Sequence, residues 1–284
     1  MTKTSIEWAT DVWNPVTGCT KVSQGCKHCY AERIASRFWG ERKFTDVRVH
    51  PDRLDEPLHW RKPRRVFVNS MSDLFHEDVP DSFIGRVFGV MSAAYWHTFI
   101  VLTKRANRMY SYLSDVDMHK KLDPTNTNQR WQLFDTWRDI PAVLPNVWLL
   151  VSIEDQKSAD ERIPLLLQTP AAVRGVSYEP ALGPVDFRPY LLADPGRPNW
   201  SRLNRLHWII MGGESGPGAR PMHPTWALSV RDQCQAAGVP FFFKQMGSAW
   251  ANLNNTADRK GGEWDEWPDD LRIREYPKNE RVDF

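Results

Sequence analysis

No apolar run in this 284-residue chain approaches the length that a membrane span needs, and residues 1–10 carry no basic patch followed by an apolar stretch. The chain is therefore expected to be soluble and cytoplasmic, with no membrane partner. Cysteine is scarce. Four occur, three of them within eleven residues and Cys234 far downstream, which excludes a secreted disulfide framework and suits a metal or cluster site. Net charge is also lacking: 37 Lys and Arg stand against 35 Asp and Glu, a balance of +2, so no global field draws the chain to a polyanion. Internal repeats are missing as well. The 14 tryptophans are many for this length but fall without a period between Trp8 and Trp267, and most read as core or rim packing.

What is present is a chain with 41% hydrophobic residues, long enough to bury one large core. Short β-branched runs alternate with helix-length segments, the pattern of βα units around a parallel sheet. Strands are expected at 65–71, 98–103, 146–153, 172–178, 206–211 and 240–244. Helices are expected at about 81–95, with Asp81 as N-cap, at 104–113, at 131–137, up to about Gln168, and at about 225–237. The polar stretch 114–128 reads as an inserted loop. Six or seven strands are fewer than the eight of a closed barrel. The expected fold is therefore α/β, a partial, open TIM-like βα barrel with parallel strands over residues 1–247, with 248–284 as a C-terminal extension packed on it.

Chemistry in parallel βα folds gathers at the C-terminal strand ends, and here those ends are polar. Asn69, Ser70, Ser72 and Asp73 follow one strand, and Lys104 and Arg105 the next. Ser152, Glu154 and Asp155, then Tyr178 and Glu179, then Glu214 and Lys244 follow the others. Each alone is as readily a turn former. On one rim they make a candidate site.

The segment 18–32, GCTKVSQGCKHCYAE, places six residues between Cys19 and Cys26 and two between Cys26 and Cys29. Three thiolates from such a loop suit either zinc, which takes a fourth protein ligand when structural, or an iron–sulfur cluster, which can leave one iron without a cysteine. Cys234 reads as a small core residue of a helix. His28 is the nearest fourth ligand for zinc. Gly18 and Gly25 each precede a cysteine and are expected to let backbone amides turn toward cluster sulfurs.

At these residues the chain resembles the radical S-adenosylmethionine superfamily, whose usual loop has three cysteines and an aromatic residue before the last, the place His28 fills. The first gap departs from it, with six residues where the superfamily usually has three. More specifically, SIEWATDVWNPVTGC, CYAERIA, NSMSDLFH, LTKR, SIED, SYEP, MGGESG and FFFKQMG are similar to the phage Gp37/Gp68 family, DUF5131. The resemblance implies a 4Fe-4S cluster on Cys19, Cys26 and Cys29, S-adenosylmethionine as second cofactor, an external electron donor, and a deoxyadenosyl radical acting on a substrate held in a dry cavity. The superfamily's Gly-Gly-Glu motif follows the second strand, where this chain has NSMSD instead. Ser70, Ser72 and Asp73 are thus the positional candidates for the methionine amino group, Ser152 is a further cofactor contact, and Glu214 is expected at ribose or substrate. The plain reading of GGESG is a structural turn.

Lys104, Glu154, Glu179 and Lys244 are the catalytic candidates, as groups that orient substrate or exchange protons. A nucleic acid or nucleotide substrate is expected from the phage association, the aromatic content and the basic segment Arg61, Lys62, Arg64 and Arg65; a second basic cluster, Arg37, Arg42 and Lys43, is able to contact phosphates but reads as readily as a solvated face. The rival reading from another class is a non-enzymatic zinc-binding or nucleic-acid-binding module in which the three cysteines and His28 staple the loop.

Overall fold

In the computed structural model, which describes residues 4, 6–114, 143–191 and 205–278, the β-branched and aromatic runs become strands. In chain order they are β1 (Asp11–Trp13), β2 (Val16–Thr17), β3 (Arg48–Val49), β4 (Arg65–Val68), β5 (Thr98–Thr103), β6 (Val147–Ile153), β7 (Val173–Tyr178), β8 (Trp208–Gly212) and β9 (Phe241–Gln245). Seven of them form one parallel sheet in the order β1-β4-β5-β6-β7-β8-β9, and β2 pairs with β3 antiparallel. Every crossover steps to the next position in the same direction, so the sheet curls into an open half-barrel. The described helices are α1 (Tyr30–Phe38), α2 (Asp81–Ala93), α3 (Ala106–Ser114), α4 (Gln156–Gln168), α5 (Arg188–Leu191), α6 (Pro224–Ala237) and α7 (Ser248–Asn254).

Because strand side chains alternate between faces, the sheet builds two cores. Val66, Val68, Val101, Leu149, Val151, Val176 and Phe243 join the larger core, which includes α2, α4 and α6 residues. The opposite face puts Phe67, Ile100, Trp148, Leu150, Trp208, Ile210 and Phe242 into the barrel lumen, together with Trp8. Burial on both faces explains why β6 is buried at all seven positions and shows no alternation in sequence. The lumen rings touch edge to face, Trp8 to Phe67 at 4.7 Å and Trp148 to Trp208 at 5.7 Å between centroids. This aromatic plug ends where the same inward registers turn polar: Ile100 and Leu102 lead to Lys104, Trp148 and Leu150 to Ser152, Gly175 to Ser177 and Glu179, and Phe242 to Lys244.

Local departures from the sequence reading have physical causes. β1, an edge strand of three residues, is too short to show a period. Pro80, not Asp81, is the N-cap of α2; Asp81 is its first helical residue, and its carboxylate accepts from Arg108 at 2.8 Å. The helix expected at 131–137 lies outside the described residues, as does nearly all of the loop expected at 114–128. Past Gly247 the chain returns to the sheet: Phe243 N donates to Ile273 O at 2.8 Å and Trp208 Nε1 to Glu275 O at 2.9 Å. Among the described residues no helix is long and apolar enough to cross a membrane.

Candidate functional site

The C-terminal strand ends and the cysteine loop enclose a cleft of about 830 Å³. All three clustered cysteines line it, as do Ser70, Ser72, Asp73, Lys104, Ser152, Glu179, Glu214 and Lys244. Glu154 does not reach the wall. It is 1% exposed and lies beneath the loop.

The loop is shaped by close packing. Gly18 adopts φ +93°, and a Cβ there would stand 2.4 Å from Asp46 O, so only glycine fits. Gln24–Cys26 form a single 3-10 turn, and Cys29 is the N-cap of α1. The backbone amides of Gly18, Cys19 and Cys26 are engaged within the protein, donating to Met71 O, Phe44 O and Ser23 O at 2.8–3.0 Å. Gly25 serves space rather than conformation, since a Cβ would meet Glu154 Cγ and Oε1 at 2.5 Å.

The thiols of Cys19, Cys26 and Cys29 are free and partly exposed, whereas Cys234 is buried in α6, where burial pushes its thiol up to about 12. Cys19 Sγ accepts from Arg105 Nη1 at 3.5 Å. Arg105 is itself held by Asp73 at 3.3 Å and Glu77 at 3.1 Å. Burial first and Asp73 second push the Cys19 thiol up to about 11, with Arg105 opposing. Among the described residues no group of three or more His, Cys, Asp or Glu side chains stands close enough to hold a single metal ion. His28 Nδ1 faces Glu214 Oε2 at 3.2 Å.

Behind the thiols stand ion pairs that the sequence did not connect. Lys104 Nζ meets Glu154 Oε1 at 2.7 Å and also donates to Ser152 Oγ. Glu154 further accepts from Arg162 at 3.1 Å and from Ser23 Oγ at 2.8 Å. Burial alone would raise its carboxyl, but Lys104 and Arg162 outweigh it and hold it below the usual range. Lys244 Nζ meets Glu179 Oε1 at 2.9 Å. Burial works against that ammonium, yet Glu179 and Glu7 keep its pKa above the ordinary lysine value. Ser177 Oγ donates to the second Glu179 oxygen at 3.1 Å.

The positional candidates for cofactor binding differ in freedom. Asp73 spends its oxygens on Thr103 Oγ1, Lys104 N and Arg105, at 2.7–3.3 Å. Ser72 Oγ donates to Val16 O at 2.8 Å, while Ser70 Oγ exchanges hydrogen bonds with Asn14. Glu214 is clamped by Arg220 at 2.5 Å, and although burial alone would raise its carboxyl, Arg220 holds it below the ordinary range. GGESG is a turn bolted to its neighbours: Gly213 N donates to Gln245 O at 2.9 Å and Gly216 N to Ser248 Oγ at 2.9 Å.

Ser23 and Tyr30 were not readable in the sequence because their partners are distant in it, and Arg162 and Arg220, six to eight positions from theirs, because no motif marks a helix or loop arginine as the partner of a buried carboxylate. Tyr30 OH donates to Ser70 O at 2.6 Å, 40 positions away. The basic cluster at 61–65 lies away from the cleft. It leads into the N-terminal end of β4, the rim opposite the cleft, with Arg64 paired to Asp11 and Arg65 stacked 4.1 Å over Tyr276. Arg42 is spent on Thr17 O and Asp46 O. Arg37 lines the cleft.

An open parallel βα barrel with a thiol-lined cleft at its C-terminal rim is thus the class that fold and site define. The chain belongs to the family described as a protein of unknown function (DUF5131), whose model matches residues 3–270. No curated protein and no solved structure matches it significantly.

Proposed function

We propose that the chain is a radical S-adenosylmethionine-type enzyme of the phage Gp37/Gp68 kind. In this reading Cys19, Cys26 and Cys29 hold a 4Fe-4S cluster and S-adenosylmethionine binds beside it. An external donor supplies the electron, and a nucleic acid or nucleotide is modified or repaired. The observation that carries this reading is that three free thiols from one loop line a cleft at the catalytic rim of an open parallel barrel. Thiolates bind separate irons of a cluster, and three of them leave one iron open for a further ligand, whereas a structural zinc takes a fourth protein donor.

When bound, the cluster and S-adenosylmethionine would supply the radical chemistry that removes a hydrogen atom from substrate. The chain's own residues do the rest. Arg105 donates to the Cys19 sulfur and offsets thiolate charge. Ser70, Ser152 and Glu214 present polar atoms to the bound cofactor, while Lys104, Glu179 and Lys244 orient polar substituents of the substrate. The aromatic plug closes the lumen below them against water. Glu154 is a positioning residue, tying the loop to β6 through Ser23.

Anaerobic reconstitution with iron and sulfide tests the reading. The expected result is a cluster whose spin-resonance signal changes on adding S-adenosylmethionine and which is lost in Cys19→Ala, Cys26→Ala and Cys29→Ala; 5′-deoxyadenosine should then form with a reductant. Stoichiometric zinc with no iron uptake would overturn it.

A further inference from the structure

We infer that the outer face of α1 is a platform on which a single-stranded nucleic acid lies while one of its nucleotides enters the cleft, a reading that rests on the nucleic-acid substrate proposed above. Tyr30, Ile34 and Phe38 are 42%, 42% and 69% exposed. Their i, i+4, i+8 spacing makes one stripe of the helix, and all three line the mouth of the cleft. Other exposed apolar side chains, such as Tyr95 and Leu253, belong to other elements and need no partner.

The stripe is interleaved with cations. Arg33 and Arg37 stand one turn apart on the same helix and line the same mouth. Arg33 is anchored to Ser215 O at 3.0 Å, and Arg37 lies 5.2 Å over the Phe38 ring. The neighbouring carboxylate of Glu32 is paired with Lys21 at 2.9 Å. Rings alternating with guanidinium groups are what a sugar-phosphate strand with unstacked bases recognises. Eight residues of helix separate the two rings by about 12 Å along the axis, a span that two nucleotides of an extended strand cover. The Tyr30 ring is already fixed through its hydroxyl on Ser70 O, which lowers the ordering cost of a stacked base. A self-association surface fits less well, because three side chains offer far less than the roughly 800 Å² per partner of a stable dimer.

The test is fluorescence anisotropy of the full chain, with and without reconstituted cluster, against a labelled mixed-sequence oligonucleotide of about 12 residues, as DNA, RNA and DNA duplex. Single strands are expected to bind at least about tenfold tighter than duplex, and Phe38→Ala to weaken them about tenfold. Arg37→Gln should lower the salt slope by about 0.7. Tyr30→Phe, which keeps the ring but frees it from Ser70 O, should weaken binding less than Phe38→Ala. Iron content and the response to S-adenosylmethionine should be unaltered in Phe38→Ala, so an intact cluster without strand binding sinks this inference alone, and a missing cluster sinks the enzyme reading alone. The inference is overturned by no single-strand binding at low salt, by equal binding in Phe38→Ala, or by a dimer that Phe38→Ala dissociates.

Discussion

Replacing Glu154 by Gln tests whether the charged groups under the cysteine loop hold it in place. The carboxylate is 1% exposed and sits between Lys104 Nζ at 2.7 Å and Arg162 Nη1 at 3.1 Å. At an effective dielectric of about 20 each contact amounts to about 5–6 kcal/mol of Coulomb attraction, offset by the cost of desolvating the carboxylate. Glu154→Gln keeps the shape but removes the charge, leaving two cations facing one neutral amide. Mutational experience with broken buried pairs places the loss at about 3–5 kcal/mol. Lys104→Met should cost less, about 1–2 kcal/mol, because Glu154 keeps Arg162 and Ser23. The double variant should lose less than the sum, since each change relieves the other's unpaired charge. Urea unfolding of the apo-protein at pH 7 reads all three values, and alkylation of Cys26 should speed up in Glu154→Gln because Ser23 then donates to a neutral amide oxygen in place of a carboxylate. A loss below about 1 kcal/mol, or strict additivity, would refute the reasoning.

Three further outcomes are expected. Gly25→Ala should destabilise by about 1–3 kcal/mol and lower iron incorporation, because its Cβ would meet an ion-paired Glu154 that cannot yield; iron content per chain checks it. Burial pulls His207 down to about 4 from its ordinary 6.5, so the unfolded chain binds the extra proton between those values and stability falls as pH drops from 6.5 to 4. The contribution is up to about 3 kcal/mol, and His207→Asn, which keeps an acceptor for Arg174 N, should flatten urea midpoints over that window. Trp208→Ala should cost about 3–5 kcal/mol by emptying the centre of the lumen plug, where Trp208 is fully buried against Trp148, Phe242 and Tyr276; the thermal midpoint measures it.

The strands from β4 to β9 were legible because each is a dense β-branched or aromatic run bounded by turn formers. Their shared C-terminal rim followed from parallel connectivity alone, and it brought Lys104, Ser152, Glu179 and Lys244 to one cleft. β1 was not legible, since three residues show no period and its partner Arg65–Val68 lies some fifty positions away. Nor could sequence tell a wall residue from a buried one: Ser152 and Glu154 share a register and a polar character, yet only Ser152 reaches the cleft. That difference comes from Arg162, Ser23 and Lys104 converging on Glu154 from three elements. The place of the cluster at 61–65 was hidden for a similar reason. Charge density is readable along a chain, but which end of a strand it occupies relative to the site depends on strand direction in the folded sheet.

The two kinds of charge at this rim have different tasks. Contacts closed within the protein, such as Asp73 with Arg105 and Glu154 with Ser23, fix backbone segments whose sequence separation would otherwise make their approach entropically costly. They position the thiols rather than meet a ligand. Pairs on the wall, Lys104 toward Ser152 and Lys244 with Glu179, can exchange one partner for a ligand group at small cost, because the remaining partner still offsets the charge. A cleft built this way binds a polar molecule without leaving a buried ion unpaired in the empty state. It also explains how a chain with a net charge of only +2 can present a locally basic mouth on α1 above a neutral, paired floor.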